Sequence, residues 1–540
     1  MNILYFLASF CFFIWLVRNV FFWVFLWQIK EYRLDRIFAH VKETESGKKL
    51  FVSQFLLIKL LLIGGYIVPI LDGRYLFFYQ LLITAVFISE AVFVVQEIIF
   101  RRLRRPTLTI KSFFIFFFTI FSFTVFFRVP LIERFLWLLI LDRLIPFFVA
   151  FFVYAFSVPG DFIKDLQIEK ATKKLQEHKN VLIIAISGSY GKSSTKEYVS
   201  QILERKFNVL KTQGSNNTPI GIAKTVLSGL KNATEIFVVE LGSYKRGEVA
   251  QLCQIVHPQI GITTGISNQH LSLFGSLENI IQTEYELIEA LPKSGVSLFN
   301  GNDRYVKSLY SKAKIKKVLY TTNNNSKIEY ATGARYLKSE ISAANIVVGK
   351  QSVSFRVSIN KKILELRAPV LGGHNVENIL PGIFLGNYLG MSERQIKQAV
   401  SSLKPLQKTM VGHHIDTGAF VIDDTFNVSP NAVLAALEYM KIYKGKKILV
   451  LHPMIELGTM AKEEHVRIGK AIGMICDYVF LTNKNYWRDI RKGVQLAKSR
   501  CIIRASRPLE VASFIKATTQ NGDIVIFEGK EATMALHEVL

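Results

Sequence analysis

An α-helical transmembrane domain followed by an α/β portion, made of a P-loop central domain and a Rossmann-like C-terminal domain, is the architecture that this 540-residue sequence predicts. Three observations predict it. Long apolar stretches crowd the chain before residue 158. A short apolar run passes straight into a glycine-rich turn and then an amphipathic helix between 181 and 206. Beyond residue 404, short apolar runs alternate with helical stretches. At roughly 100–200 residues per domain, the length accommodates about three domains. They are placed at 1–157, at 180–403 and at 404–540, with a juxtamembrane helix over 158–179 joining the first two.

Hydrophobic residues make up 50% of the chain and Phe occurs 42 times, an excess that sits almost wholly before residue 158. Apolar stretches at 3–27, 55–71, 76–100, 112–127 and 135–157 each approach the roughly 17–25 residues of a spanning helix, so about five spans are expected. The first lacks the basic start and small-residue cleavage site of a signal peptide and reads as a retained helix. Loop charge gives the orientation. Lys30, Arg33, Arg36, Lys42, Lys48 and Lys49 share one connection and Arg101, Arg102, Arg104, Arg105 and Lys111 the next alternate one. The intervening loops hold only Arg74, and Arg128 with Arg134. Positive-inside topology then puts the N-terminus outside and everything after Pro159 in the cytosol, as a multi-pass protein of a bacterial plasma membrane. Lys59, Glu90, Asp142 and Arg143 lie within the apolar stretches; the structural reading lets Lys59 snorkel and pairs Glu90 with Arg143.

The formal net charge of +25 could indicate a polyanionic partner. Many of these basic residues fall in the short loops, where membrane topology accounts for them, so no nucleic-acid partner is expected. Four scattered cysteines, Cys11, Cys253, Cys476 and Cys501, form no C-x-x-C pair and indicate neither disulfides nor zinc.

Val181-Leu-Ile-Ile-Ala-Ile186 is a short apolar run, the pattern of a parallel strand buried on both faces. It leads into Ser187-Gly-Ser-Tyr-Gly-Lys-Ser-Ser-Thr195 and a helix expected from Lys196 to about Lys206. Strand, glycine loop and helix in that order predict phosphate binding. The backbone of Gly188, Ser189, Tyr190, Gly191, Ser193 and Ser194 wraps phosphate oxygens at a helix N-terminus, Lys192 reaches the β and γ phosphates, and the Ser193 hydroxyl ligates Mg2+. ATP and Mg2+ are the expected cofactors.

From residue 180 to the end, the ordered motifs resemble the Mur ligase family, in the branch that adds D-alanyl-D-alanine to the peptidoglycan precursor. Gly188-Ser-Tyr-Gly-Lys-Ser-Ser-Thr195 is similar to the family's G-T-x-G-K-[ST]-[ST]-T. Thr212-Gln-Gly-Ser-Asn-Asn-Thr-Pro-Ile-Gly221 resembles its substrate loop, which implies substrate contacts at Asn217 and Thr218. Val238-Val-Glu240 resembles the strand ending in a magnesium-binding glutamate, and His270 of Thr264-Gly-Ile-Ser-Asn-Gln-His270 corresponds to a second metal ligand. Gly373-His-Asn-Val-Glu-Asn378 resembles the adenine-contacting motif, implying nucleotide contacts at His374 and Asn378. Ile422-Asp-Asp-Thr-Phe-Asn427-Val-Ser-Pro430 resembles the start of the last domain, with Asp424 at the ATP ribose and Asn427 at the substrate. Met454-Ile-Glu-Leu-Gly458 with His465 completes the series.

The resemblance implies an ATP-dependent amide ligase working through an acyl phosphate. Its catalytic group is Lys192, Glu240, His270 and Glu284, its metal ligands are Ser193, Glu240, His270 and Glu284, and its substrates are a muramoyl peptide, UDP- or lipid-linked, and an amino acid or dipeptide. Three positions depart from the family. Glu284 stands where the family carries a carbamylated lysine, Lys408 where it carries an arginine beside the nucleotide, and Phe527-Glu-Gly-Lys530 replaces K-G-S. Membrane helices also replace the usual UDP-binding domain. The rival readings are a membrane-bound poly-γ-glutamate-type amide ligase and the ATPase of a transporter. No LSGGQ-like helix supports the second.

Overall fold

The computed structural model describes residues 2–50, 54–68, 72–130, 132–322, 327–329, 336–338, 340–359 and 362–540. They form two compact units, Met1–Asp165 and Leu166–Leu540.

In the first unit four helical segments, Ile3–Ile29, Gly73–Ile99, Ile110–Arg128 and the one beginning at Arg134, are long and apolar enough to cross a membrane. Phe12, Phe87, Phe123 and Leu138 fill the interior, while Phe6, Phe10, Phe77 and Phe151 face outward. A helix apolar on all sides is suited to lipid rather than water. Within the stretch expected to span from 55 to 71, the helix Gln54–Gly65 is followed by a turn at Tyr66 and helical residues at 67–68, and residues 69–71 lie outside the described residues. The juxtamembrane helix expected over 158–179 is Ser157–Glu177.

Packing corrects the expected partners of the intramembrane charges. Lys59 does not snorkel. It is fully buried, with Nζ 2.7 Å from Glu90 Oε2 and 2.9 Å from Asp142 Oδ2. Arg143 pairs with its neighbour Asp142 rather than with Glu90. Trp15 Nε1 donates to Asp142 Oδ1 at 2.9 Å, so one polar knot ties together four helices. Three-dimensional proximity, not spacing along the chain, selects these pairs. Replacing Lys59 with Met leaves two carboxylates facing each other in apolar surroundings. Breaking a buried pair by removing one partner costs about 3–5 kcal/mol. We therefore expect Lys59→Met to lower the thermal unfolding midpoint in detergent sharply, and Lys59→Met/Glu90→Gln/Asp142→Asn to recover most of the loss. Unaltered unfolding of the single variant would show that the knot does not stabilise the helices.

The second unit holds two sheets, and its strands are numbered here along the chain. The first is built from β1 (Leu182–Ser187), β2 (Val209–Lys211), β3 (Ile236–Glu240), β4 (Ile260–Thr263), β5 (Val296–Asn300) and β6 (Lys316–Thr321). After the small hairpin β7 (Lys327–Glu329) and β8 (Tyr336–Lys338), it is completed by β9 (Ile341–Val348), β10 (Val353–Ile359) and β11 (Lys362–Ala368). Its order is β11-β10-β9-β6-β5-β4-β1-β3-β2, parallel except for the antiparallel β9–β11 end. That end is the β-rich segment expected near 346–369. Strand periodicity explains why β1 is apolar throughout. Ile184 and Ile186 pack with Tyr198, Val199 and Ile379 on one face, while Ile183 and Ala185 pack with Ile222, Val249 and Leu252 on the other.

The second sheet comprises β12 (Val411–His414), β13 (Phe420–Asp424), β14 (Lys447–Leu451), β15 (Tyr478–Leu481), β16 (Ile502–Ala505) and β17 (Ile524–Glu528), in the order β12-β13-β17-β14-β15-β16. All pairs are parallel but β12–β13. The four buried strands expected at 447–452, 478–482, 501–505 and 523–527 fall within a residue or so of those observed. Both sheets present the C-terminal ends of their parallel strands to the loops that carry the motifs. Ligands of open α/β sheets bind at such ends.

Candidate active site

The glycine loop follows the central strand β1. Gly188 and Gly191 adopt φ of 135° and 79°, and a Cβ would lie 2.2 Å from Thr264 Oγ1 at the first and 2.8 Å from Asn378 Oδ1 at the second. Only glycine satisfies both constraints at these places. The loop is braced from the end of β4. Ser189 N donates to Gly265 O at 2.6 Å, Thr264 Oγ1 donates to Tyr190 O at 2.6 Å, and Tyr190 OH donates to Asp303 Oδ2 at 3.0 Å. Burial, aided by Asp303 and Glu377, pushes the Tyr190 phenol up, so it remains a neutral donor. The helix expected from Lys196 starts at Lys192 instead, because Gly191 in the left-handed conformation forms its N-cap and residues 192–195 are its first turn. Ser193 and Ser194 thus stand at a helix N-terminus, and Lys192 Nζ donates back to Gly188 O across the loop. The Ser189 hydroxyl is buried with no hydrogen-bond partner among the described residues.

Two carboxylates flank this loop. Glu284, on the helix Leu277–Ala290, is buried and accepts a hydrogen bond from Ser187 Oγ. Burial pushes its carboxyl up, opposed by the charge of Lys192 and by hydrogen bonds from Ser187 and the Gly188 N–H. Glu240 ends β3 beside Ile186 of β1. It receives Asn217 Nδ2 at 3.0 Å and Lys196 Nζ at 3.2 Å, with Lys196 also donating to Gly214 O. Lys196 had no role in the sequence reading. Its spacing of four from Lys192 on one helix was the available signal. Asn217 therefore contacts the glutamate directly, whereas Thr218 caps the helix Pro219–Gly229, accepting Gly221 N at 3.2 Å.

His270 is held elsewhere. Its Nδ1 lies 2.6 Å from Glu456 Oε2, and its ring meets Tyr244 edge-on at 5.0 Å. Ser272 N donates to Glu456 O at 3.2 Å, so the 454–458 turn docks on the segment around His270. His465 serves that turn. Its Nε2 accepts Met454 N at 3.2 Å and its ring stacks on Tyr486 at 4.2 Å, while burial holds it down at about 4 and hence neutral. Among the described residues no three His, Cys, Asp or Glu side chains stand close enough together to hold a metal ion. The oxygen donors Ser193, Glu240 and Glu284 suit a hard cation. His270 keeps only Nε2 for such a role.

Asn378 faces the loop, where its Oδ1 accepts Thr195 Oγ1 at 3.3 Å and its Nδ2 donates to Asn375 Oδ1 at 3.1 Å. Desolvation holds His374 down at about 4, a neutral ring at the start of the helix Asn375–Tyr388. Lys408 is exposed with φ of 60°, and its carbonyl accepts Phe426 N at 2.9 Å. Asn427 is exposed just after β13. Asp424 ends β13, buried, with Oδ1 accepting Met410 N at 3.2 Å.

Comparison with known proteins agrees with this arrangement. Residues 186–386 match the Mur ligase middle domain and residues 410–531 the Mur ligase glutamate ligase domain. The UDP-N-acetylmuramoyl-tripeptide–D-alanyl-D-alanine ligase of Bacillus subtilis is 27% identical over 378 residues, covering 69% of this chain and 78% of its own. MurF from Acinetobacter baumannii superposes with a TM-score of 0.61 at 21% identity, over 70% of this chain and 80% of that one. The MurF ligase from Thermotoga maritima in complex with ADP gives 0.59 at 22% identity, over 70% and 83%. Two consecutive domain matches spanning more than half of the sequence, on a shared fold, establish that this chain belongs to the Mur ligase family.

Proposed function

We propose that this protein is an ATP-dependent amide ligase of peptidoglycan precursor synthesis that joins D-alanyl-D-alanine to a muramoyl tripeptide. The observation that carries this reading is the braced glycine loop with Lys192 and two flanking carboxylates, in a chain similar to D-alanyl-D-alanine-adding ligases. In the reaction, a substrate carboxylate oxygen attacks the γ-phosphorus of ATP. The bridging O–P bond breaks and ADP departs, leaving an acyl phosphate. The amine of the dipeptide then forms the amide C–N bond, loses a proton and expels phosphate.

The loop amides and Lys192 hold and neutralise the transferring group, which is the main task in phosphoryl transfer. Ser193, Glu240 and Glu284 are the groups beside the loop that would hold Mg2+, which would supply further charge neutralisation at the phosphates, while His270, expected as a further ligand, is held by Glu456 and does not join them. Asp424 holds the ATP ribose, with His374, Asn378 and Lys408 lining the nucleotide site. Asn217, Thr218 and Asn427 meet the substrates. The apolar helices cross a bacterial plasma membrane with the ligase on the cytosolic side, a reading supported by the basic connections at 28–50 and 101–111.

The test uses full-length protein in detergent with ATP, D-alanyl-D-alanine and a muramoyl tripeptide, supplied either UDP-linked or lipid-linked. Phosphate release requiring both the carboxylate and the amine partner, with a product heavier by the dipeptide less water, is the expected result. ATP hydrolysis indifferent to both partners would sink the ligase reading.

A further inference from the structure

We propose that Glu528 is a positioning residue for the nucleotide: it donates a carboxylic-acid hydrogen bond to Asp424 and so orients the carboxylate that receives the ribose. This rests on the reading above that Asp424 is the ribose-binding group. Asp424 and Glu528 are register partners at the ends of the adjacent parallel strands β13 and β17. Both are buried, Asp424 7% exposed and Glu528 0%. Among the described residues no donor reaches either oxygen of Glu528, and the group that faces them is the Asp424 carboxyl. Asp424, by contrast, already accepts the Met410 N–H.

Two carboxylates in contact out of water cannot both be ionised without a large penalty, so the pair retains a proton. Glu528 is the partner lacking any other donor, whereas the Met410 N–H favours charge on Asp424. Hence Glu528 carries the proton and Asp424 the charge. A carboxylate has about four lone-pair sites, so Asp424 can accept from Met410, from Glu528 and still from a ribose hydroxyl.

Among the described residues, the surrounding charges do not supply a substitute cation. Asp423, on β13, is engaged by Thr425 N at 3.0 Å and Thr425 Oγ1 at 2.6 Å. His452, after β14, lies 2.9 Å from Thr482 Oγ1 and 3.2 Å from Glu531 Oε2. Tyr198, from the helix Lys192–Leu203, is held neutral by burial, with the charges of Glu197 and Asp424 also acting on it. Lys408 lies exposed before β12. The family motif K-G-S puts a lysine where Glu528 stands. A lysine would form a permanent ion pair with Asp424, while a glutamate holds it only when protonated.

Burial pushes Asp424 up to about 7, and burial together with the Asp424 charge pushes Glu528 up as well. Asp424 ionises as pH rises through about 7, whereas Glu528, also pushed well above the ordinary carboxylate range, keeps the shared proton and loses it only on a further rise in pH. The stability that the pair contributes is likewise complete below the ordinary carboxylate range and disappears on that rise. Above it, like charges face each other and Asp424 is displaced from its ribose geometry.

Equilibrium binding of ATP to the full-length protein across roughly pH 6–9 tests this, because it does not depend on ligation occurring. Wild-type affinity is expected to rise as Asp424 ionises near pH 7 and to fall by up to about tenfold per pH unit at the alkaline end, once Glu528 loses its proton. Glu528→Gln keeps a permanent N–H donor at every pH and should bind ATP about as well as wild type at its optimum, with a flat profile. Glu528→Lys should be flat too. Glu528→Leu should bind weakly throughout and, in turnover, raise the KM for ATP more than it lowers kcat. A flat wild-type profile, or Glu528→Gln keeping the wild-type slope, overturns the proposal. Absence of ATP binding by wild type at every pH would instead remove the ligase reading, and this proposal with it.

Discussion

Lys192→Ala should abolish ATP turnover while leaving the protein folded. The side chain is only half-buried, and its amine meets the carbonyl of Gly188 rather than any part of the core, so its removal leaves no core cavity, and the buried Glu284 that loses its cation keeps the hydrogen bonds from Ser187 and the Gly188 N–H. What it removes is a cation aimed at the space enclosed by the loop. Deleting one preorganised group that stabilises transition-state charge lowers kcat by about 10²–10³-fold, and a full positive charge on a transferring phosphoryl group belongs at or above the top of that range. The measurement is phosphate release at saturating ATP, with circular dichroism and thermal unfolding as controls for the fold. Turnover within a few-fold of wild type in a well-folded variant would remove Lys192 from the phosphate site.

Glu284 carries the second large effect, because it is the proposed catalytic position where this chain departs from the family pattern and it is buried. The carbamylated lysine of the family ends in an anion. Glu284 delivers an anion from a shorter stem, and its helix brings it against Ser187 at the base of the loop. Glu284→Gln preserves volume and the contact with Ser187 but deletes the charge, so phosphoryl transfer should slow and the Mg2+ concentration for half-maximal rate should rise by about 10–100-fold. The wild-type rate should not depend on bicarbonate. Glu284→Lys, by contrast, should be inactive without bicarbonate and partly active with it, since carbamylation would rebuild the anion. Ligation rate measured against Mg2+ with and without bicarbonate separates these cases. An unchanged rate and unchanged Mg2+ dependence in Glu284→Gln would leave Glu284 a purely structural residue.

The sequence by itself determined much of what rests on local chemistry, though not the N-cap at Gly191 that starts the helix at Lys192. Apolar length revealed the long helices, because lipid demands it of each segment alone. The run from Val181 to Thr195 revealed strand, loop and helix, because an apolar run passing into a glycine turn and an amphipathic helix is a local pattern, with Gly188 and Gly191 supplying the positive φ that the turn needs. Strands β14, β15 and β17 of the last sheet were legible as short apolar runs because interior parallel strands are buried on both faces.

Tertiary structure alone decided the pairings between distant residues. Lys59 with Glu90 and Asp142, Ser187 with Glu284, His270 with Glu456, and Asp424 with Glu528 are all separated by tens to hundreds of positions. Each depends on strand order, on register or on which helix faces share an interior. A motif names the residues that end a strand, but not the strand that lies alongside. The substitution of Glu528 for lysine reads in sequence as one departure among three. Only the parallel register of β13 and β17, which sets it against a second carboxylate out of reach of water, turns it into a statement about where a proton must be.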